Sequence, residues 1–362
     1  MPADRAYLDH NATSPLRPEA RAAMMEAMEL VGNPSSVHSE GRAAKALMDR
    51  ARRQVASLVG AKPDQVVFTS GGTEALSTII AAHGGLLTVS ALEHSALMEP
   101  ARARGAHVAP ASADGRVSPN AYDQNAGETS LCALQLANNE TGVEQDVCGL
   151  ADGASETLTD AVQVAGKRPI AVTMLGVDHL VISAHKLGGP KGVGVLVSKV
   201  PSTDRPLLLG GGQEKGARAG TENLVGIAGF GAAAEAAERD LEAFAELGAW
   251  RDEIECAVVT QTPDAVVIAQ ASSRLPNTSC IALPGVAAET LVMSLDLEGV
   301  AVSAGSACSS GKVTRSHVLE AMGLDDAITG SAIRVSLGWN SSKKDVDQFI
   351  RAWASVTDRL ER

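Results

Sequence analysis

Aromatic side chains are scarce in this chain: phenylalanine, tryptophan and tyrosine together make up 2% of its 362 residues. With so few rings, the core must be packed mainly from alanine, valine, leucine and isoleucine. Hydrophobic residues make up 45% and charged residues 20% of the sequence, as in ordinary globular proteins. The chain is longer than one compact core usually holds, so its length predicts a large domain with a smaller one beside it.

An excess of positive charge is also missing. The chain has 31 Lys and Arg against 43 Asp and Glu, which gives a formal net charge of −12. Such an acidic chain offers no general electrostatic attraction to nucleic acid or to an anionic membrane, so neither partner is expected. No apolar run approaches the roughly 20 residues that a membrane helix needs. The first residues lack the basic and apolar pattern of a secretory signal.

Cysteines at metal-binding or disulfide-forming spacing are absent too. The five cysteines are odd in number and widely spaced, with no CxxC: Cys132, Cys148, Cys256, Cys280 and Cys308. This pattern predicts neither a disulfide framework nor a metal site, and it favours reduced thiols in the cytoplasm. Cys132 and Cys280 lie in apolar runs and are expected in the core.

Short β-rich runs alternate with alanine-rich stretches from about residue 15 to 250. Several runs are apolar on both faces, as buried parallel strands are. The runs are residues 65–69, 86–89, 131–136, 179–182 and 193–197. This alternation predicts an α/β domain with a mostly parallel sheet between helices, spanning residues 14–250.

The remaining residues, 1–13 and 251–362, are predicted to form a smaller α+β domain. One long helix over 221–247 is expected to lead out of the large domain. Strands are predicted near 265–268, 278–283 and 333–337, the last from its alternation of apolar and polar residues. An amphipathic helix is expected to close the chain, with Ser342 and Asp345 arranged as in a capping box.

A glycine pair stands where a strand gives way to a helix, in Thr69-Ser70-Gly71-Gly72-Thr73-Glu74. Glycines let the backbone approach an anion, and a helix N-terminus offers free N–H groups. Gly72 and Thr73 are therefore candidate phosphate ligands, although a Gly-Gly turn before a helix is more often only structural. It is not a nucleotide P-loop, because no Gly-Lys-Ser/Thr follows.

Lys186 in Ser183-Ala184-His185-Lys186 and Asp160 in Asp160-Ala161-Val162-Gln163 form the most informative pairing of the sequence. Pyridoxal phosphate (PLP) needs a lysine that holds it as a Schiff base and an acid at its pyridine nitrogen. Gln163 lies about one helical turn after Asp160 and is placed to meet the phenolic oxygen. His94 follows another strand and is a candidate to stack on the ring and relay protons. Asn139 is a further polar candidate.

Lys191 competes with Lys186 for the cofactor. Lys191 lies in a glycine- and proline-rich turn and is interpreted as a phosphate or surface contact. Lys186 follows a strand, and Ser183 and His185 before it are candidate phosphate ligands. Any one of these residues alone is more often a cap, a surface residue or a satisfied polar group, and only their order along the chain favours the cofactor site.

Cys308 lies in a small-residue segment, Ser306-Ala307-Cys308-Ser309-Ser310-Gly311. The mobile loop is predicted at about 303–315, because residues 303–311 have one glycine before and one after the thiol and no bulky side chain. A free thiol has a pKa near 8.5, so some thiolate is present at neutral pH. A PLP lysine with a mobile thiol indicates removal of sulfur from an amino acid. The alternative is that Cys308 is a small buried residue.

Taken together, these stretches resemble the class V aminotransferases of PLP fold type I and, more narrowly, the NifS/IscS-type cysteine desulfurases. The matching stretches occur in family order over residues 7–338. They are residues 7–13, 32–36, 69–74, 93–94, 138–142, 160–163, 183–186, 210–214, 218–223, 306–308 and 334–338.

The resemblance implies a role for each matching residue. Lys186 carries PLP, His94 stacks on the ring, Asp160 holds the pyridine nitrogen and Gln163 the phenolic oxygen. Further residues are implied in phosphate binding (Gly72, Thr73, Ser183, His185), near the substrate (Asn11, Asn139), at its carboxylate (Arg334) and in attack on its sulfur (Cys308). Thr221 is implied to reach the phosphate of a neighbouring subunit, hence a homodimer. L-cysteine would yield alanine and a persulfide on Cys308 for an Fe–S scaffold or another sulfur acceptor.

Two segments are shorter than is usual in the family, from Thr73 to His94 and from Gly142 to Asp160. Residues 149–153 also interrupt an expected covering helix. Three other functions remain open on sequence grounds: a selenocysteine lyase, an aminotransferase, and a non-catalytic docking protein on the same fold. The presence of Lys186, Asp160 and Cys308 together argues against the last.

Overall fold

The computed structural model describes residues 5–118, 120–123, 127–152, 154–199, 206, 208–305 and 315–360. Their β-strands are β1 (Ala6–Tyr7), β2 (Val66–Thr69), β3 (Leu86–Ser90), β4 (His107–Ala109), β5 (Gly127–Ala133), β6 (Ala154–Asp160), β7 (His179–Ser183), β8 (Gly194–Ser198), β9 (Val266–Val267), β10 (Thr278–Ala282), β11 (Val300–Ala301), β12 (Ser303–Ala304) and β13 (Ala332–Ser336).

Helices surround these strands. They are α1 (Pro18–Met28), α2 (Ser39–Leu58), α3 (Gly72–Ala82), α4 (Ser95–Ala103), α5 (Asn120–Asp123), α6 (Val172–Leu175), α7 (Leu224–Arg239), α8 (Leu241–Ala245), α9 (Leu247–Gln261), α10 (Ala288–Leu297), α11 (His317–Ala321), α12 (Asp326–Thr329) and α13 (Lys343–Leu360). Short 3-10 helices lie at Pro63–Gln65, Cys148–Asp152, Ala184–Lys186 and Gln213–Gly216. Within the described ranges, no helix is both long and apolar enough to cross a membrane.

Seven strands form the central sheet, in the order β2-β8-β7-β6-β5-β3-β4. Only β8 runs against its neighbours β2 and β7, and the other pairs are parallel. The mostly parallel α/β sheet predicted from the apolar runs is confirmed. Strands β2, β7 and β8 are buried along their whole length, so the two faces of the sheet are covered there. Parallel strands bring their carboxyl ends to one edge, which is where ligands of such sheets bind.

A second sheet of four antiparallel strands has the order β12-β13-β10-β9. Strand β1 lies apart from it and pairs in parallel with β11, which ties the start of the chain to this region. Trp353 and Phe349 of α13 stack at 6.1 Å between ring centroids and belong to a core that also holds Leu8 and Phe244. The division at residues 13 and 250 stays a prediction.

The helix predicted as one element over 221–247 is three helices, so that prediction is wrong. The Asn223 side chain accepts from the Gly226 N–H at 3.0 Å and begins α7. Asp240 ends it, with its carboxylate bound to Arg17 at 2.6 Å and to Arg239 at 2.8 Å. Alanine-rich composition favours helix throughout this stretch, and the chain turns at Asp240, where the buried Arg17 binds the Asp240 carboxylate.

Candidate active site

A cavity of about 350 Å³ opens at the carboxyl edge of the central sheet. Eleven of the thirteen residues predicted from the sequence line it: Asn11, Gly72, Thr73, His94, Asn139, Asp160, Gln163, Ser183, His185, Lys186 and Arg334. Residues that the sequence did not single out complete its wall: Ala12, Leu76, Ser95, Ala96, Gln135, Ala137 and Val162.

The topology explains why residues so far apart in sequence converge. Asp160 is the last residue of β6, and Ser183 is the last residue of β7. Gly72 begins α3 shortly after β2, and His94 caps α4 shortly after β3. Since these strands run in one direction, their following residues all lie at the same edge of the sheet.

One end of the cavity is suited to an anion. The N-cap of α3, Gly71, has no side-chain hydrogen bond that would occupy the N–H groups of the first turn. A Cβ built on Gly72 would lie 3.2 Å from Cγ2 of Val162, so the helix starts close to the segment after β6. Ser183 and His185 line the same cavity, and burial beside Lys186 lowers the pKa of His185 to about 4. This end offers neutral donors and a helix N-terminus, which bind phosphate well.

Asp160 supplies a carboxyl group that is buried against the sheet. The backbone N–H of Val162 donates to its Oδ1 at 2.8 Å. Burial raises the pKa of Asp160 to about 6, opposed by the Val162 hydrogen bond and by the charge of Lys186. A cationic N–H donor placed in the cavity would stabilise the ionised form.

His94 is held as a neutral imidazole with a defined tautomer. Its Nδ1 accepts from the backbone N–H of Ala96 at 3.1 Å. Burial and the nearby Lys186, His317 and Arg334 lower the pKa of His94 to about 4. With Nδ1 used as an acceptor, the ring proton of the neutral form lies on Nε2. Nε2–H is then a proton or hydrogen-bond donor.

Lys186 and Arg334 place two cationic side chains on the cavity wall. The Nζ atom of Lys186 donates to the carbonyl oxygens of Asn11 and Ala12 at 2.6 and 2.8 Å. The guanidinium of Arg334 donates to Asn139 O at 3.1 Å and to Asp9 Oδ1 at 2.9 Å. Its buried Nε has no hydrogen-bond partner among the described residues. A guanidinium in this setting suits a carboxylate ligand.

Asn11 contacts residues on both the lysine side and the arginine side of the cavity. Besides the carbonyl contact with Lys186, its side-chain Nδ2 donates to Asn139 O at 3.2 Å and to Thr278 Oγ1 at 2.9 Å. Its Oδ1 accepts from the amine of Lys167 at 2.7 Å. The segment after β1 thus fixes the lysine and the arginine side of the cavity together.

Three functional candidates were missed on sequence grounds. Gln135 lines the cavity, and Glu93 accepts from its backbone N–H at 2.8 Å. Lys167 is buried behind Gln163. Available signals were the position of Glu93 next to His94 and the four-residue spacing between Gln163 and Lys167.

The other two predicted residues lie apart from the cavity or outside the description. Thr221 lines a separate cavity of about 150 Å³ with Ser70 and Arg218. Cys308 lies outside the described residues. Of the other cysteines, Cys132 and Cys280 are buried as predicted, while Cys148 and Cys256 are exposed.

Comparison with known proteins gives a consistent result. The family model of class-V aminotransferases matches residues 6–349. A cysteine desulfurase of Cereibacter sphaeroides is 41% identical, over 99% of this chain and 97% of the relative. The cysteine desulfurase IscS of Dictyoglomus turgidum is 37% identical, over 98% and 95%. The structure of a NifS-like protein from Rickettsia africae superposes with a TM-score of 0.90 at 31% identity, covering 98% of this chain and 99% of that one.

Proposed function

This chain belongs to the class-V aminotransferase family, and we propose that its cavity holds pyridoxal phosphate and removes sulfur from L-cysteine. The chain is an enzyme, a cysteine desulfurase, as its nearly full-length relatives are named. The observation that carries the proposal is the convergence of Lys186, Asp160 and Arg334 on one cavity, with an uncapped helix N-terminus at its edge.

The described residues fit this cofactor. Asp160 is buried and its raised pKa makes a protonated ring nitrogen a favourable partner. The first turn of α3 with Thr73, Ser183 and His185 would bind the phosphate. Gln163 would donate to the phenolic oxygen, and Lys186 would hold the cofactor covalently through its amine. When bound, PLP supplies an electron sink for the negative charge left when a substrate Cα–H bond breaks.

The side chains divide the remaining tasks. Arg334 binds the substrate carboxylate, aided by its unpartnered Nε. The amine of Lys186 would move the substrate Cα proton. His94, with its proton on Nε2, would pack against the cofactor ring and donate toward the substrate thiol. Asn139 and Asn11 line the substrate side and orient Arg334 through the Asn139 carbonyl.

Cys308 completes the reaction in this proposal. Its thiolate attacks the substrate sulfur, the Cβ–S bond breaks, and the electron pair and a proton stay with the carbon product as alanine. Cys308 keeps the sulfur as a persulfide, which an Fe–S scaffold or another acceptor protein receives. The active form is a homodimer, in which Thr221 serves the partner subunit's phosphate site.

Two related reactions would fit the same cavity. A selenocysteine lyase needs no thiol to receive the released selenium, and an aminotransferase returns the amino group to a second substrate. An aminotransferase leaves the sulfur in its organic product and a lyase acts on selenocysteine, so alanine and sulfide released from cysteine distinguish a desulfurase from both. A non-catalytic docking protein would convert no substrate.

The test is a product balance with protein reconstituted with PLP, L-cysteine and a reductant. We expect alanine and sulfide in equal amounts, with both lost in Cys308→Ala. Cys256→Ala is the matched control, since it removes an exposed thiol from α9 and should keep full activity. A yellow protein that releases neither product would refute the desulfurase assignment. If both variants keep full activity, no particular thiol is required, and if both lose it equally, the loss is not specific to Cys308.

A further inference from the structure

Lys167 is 2% exposed, a low value for a side chain that carries an amine. Its Nζ donates to Asn11 Oδ1 at 2.7 Å and to Gln163 Oε1 at 2.9 Å. Neither acceptor is charged, and no ion pair to Lys167 occurs among the described residues. Buried lysines are rare unless they pair with an acidic group, so a role for Lys167 is expected in the contacts of its amine.

The local backbone is built to return Lys167 to Gln163. The Lys167 N–H donates to Val164 O at 2.9 Å, and Gly166 has a left-handed φ of +74°. A Cβ on Gly166 would lie 2.8 Å from Cβ of Ala237, so the turn is packed against α7. The lysine is therefore fixed by the fold at both its backbone and its amine.

The consequence concerns the orientation of the Gln163 amide. A primary amide has one acceptor and one donor end, and either can face a ligand if nothing fixes the amide. Because Lys167 is a donor, it holds Oε1 on its own side, and the Nε2 donor of Gln163 is on the opposite side of the amide. At present Nε2 donates to Asn11 O at 3.0 Å, the same carbonyl that accepts from Lys186.

We propose that Lys167 is a positioning residue that fixes the Gln163 amide with its N–H donor directed to the cofactor. The inference rests on the proposed function, since it assumes that Gln163 meets the phenolic oxygen of PLP. Burial lowers the pKa of Lys167 well below its usual value, with Lys186 and Arg334 adding to the shift. A neutral amine still has two N–H bonds, so both donated contacts persist in either protonation state.

The variants for testing this are Lys167→Met, Gln163→Met and the double variant. Without Lys167 the amide can turn its oxygen to the phenolate, which loses a fixed donor. In Lys167→Met we expect the PLP dissociation constant of the apoprotein to rise about tenfold or more. The pH at which the visible absorbance of the lysine-bound cofactor changes should rise by about one unit, because the protonated form gains relative stability.

The double variant tests whether Lys167 acts on the cofactor through Gln163. If Lys167 acts through Gln163, the double variant should have the absorbance transition of Gln163→Met, with no further shift. Arg274→Met is the control for loss of a buried cation, because Arg274 pairs with Glu255 away from the cavity. It should lower the melting temperature and leave the absorbance transition in place.

The outcomes separate the two proposals. If Lys167→Met keeps both the wild-type PLP affinity and the wild-type absorbance transition, the positioning role is wrong, even if the variant is less stable. A full additional shift in the double variant would also overturn it. If the wild-type protein itself binds no PLP, the proposed function fails first. If PLP binds normally but cysteine is not converted, the desulfurase assignment fails and the Lys167 test still stands.

Discussion

Glu93 has no exposed surface, and its Oε2 has no hydrogen-bond partner among the described residues. Its other oxygen accepts from the Gln135 N–H at 2.8 Å. Burial raises the pKa of Glu93 to about 8, and the nearby Asp160 adds to the rise. A neutral carboxyl next to His94 therefore lies behind the cofactor site at neutral pH.

The raised pKa of Glu93 makes a pH-dependent contribution to stability. Between the usual value of 4.5 and about 8, the folded protein holds this proton and the unfolded chain does not. The free energy of unfolding contributed by Glu93 therefore falls as pH rises through this window, by at most about 1.4 kcal/mol per pH unit. Glu93→Gln removes the titrating group and should remove that slope.

The measurement is the free energy of unfolding of apoprotein in denaturant at several pH values. We expect the Glu93→Gln value minus the wild-type value to rise with pH from about 4.5 to 8 and to be constant above. Glu320→Gln, on an exposed position of α11, is the control and should show no such trend. A difference that is independent of pH would contradict a raised pKa at Glu93.

Gly194 of β8 allows β2, β7 and the start of α3 to pack closely at the end of the cavity proposed to bind phosphate. Gly194 pairs with Thr69 of β2 on one side and with Ser183 of β7 on the other. A Cβ on Gly194 would lie 2.7 Å from the backbone carbon of Gly71 and 3.0 Å from the backbone nitrogen of Gly72. Backbone atoms cannot move away as a flexible side chain could, so the start of α3 would have to shift.

Gly194→Ala should therefore affect stability and cofactor retention together. Overpacking of this kind costs about 1–3 kcal/mol, and displaced N–H groups at α3 should bind phosphate more weakly. PLP release during dialysis and thermal unfolding are the two measurements. Gly84→Ala is the control, because a Cβ there meets nothing within 4 Å and should change neither. If Gly194→Ala is destabilised but retains PLP normally, close packing at Gly194 is not needed for phosphate binding.

The elements also show what sequence patterns can and cannot predict. Apolar runs located β2, β3, β7 and β8 to within a residue or so, because buried strands require such runs. The run predicted at 131–136 overlaps β5 only at residues 131–133, because β5 begins at Gly127, includes polar residues and ends at Ala133. Lys167 was missed because its acceptors on Asn11 and Gln163 become neighbours only when the β1 segment folds onto the sheet.

At the scale of the whole molecule, Thr221 does not line the cavity that Lys186 lines. Its segment is tied to α3 by Arg218, which donates to Glu74 at 2.9 Å. In the single chain, the apolar side chains of Val31 and Val37 are 93% and 88% exposed. In the proposed homodimer, Thr221 would instead reach the cavity of the second subunit.

Mixing variant subunits tests which cavity Thr221 serves. We expect Lys186→Ala homodimers to be inactive and Thr221→Ala homodimers to bind PLP weakly. A hybrid of the two would contain one site with both Lys186 and Thr221 intact, because each is supplied by a different subunit. Sulfide release should therefore recover after the two proteins are unfolded, mixed and refolded together.

The control hybrid pairs a Thr221→Ala subunit with one that carries both Lys186→Ala and Thr221→Ala. No site in it has both residues, so recovery should be absent under the same refolding conditions. If Thr221 acts within its own subunit, neither hybrid contains a complete site, and both mixtures should stay at the level of their parents. Recovery in the first mixture alone is possible only when the site is shared, because Lys186 and Thr221 then come from opposite chains.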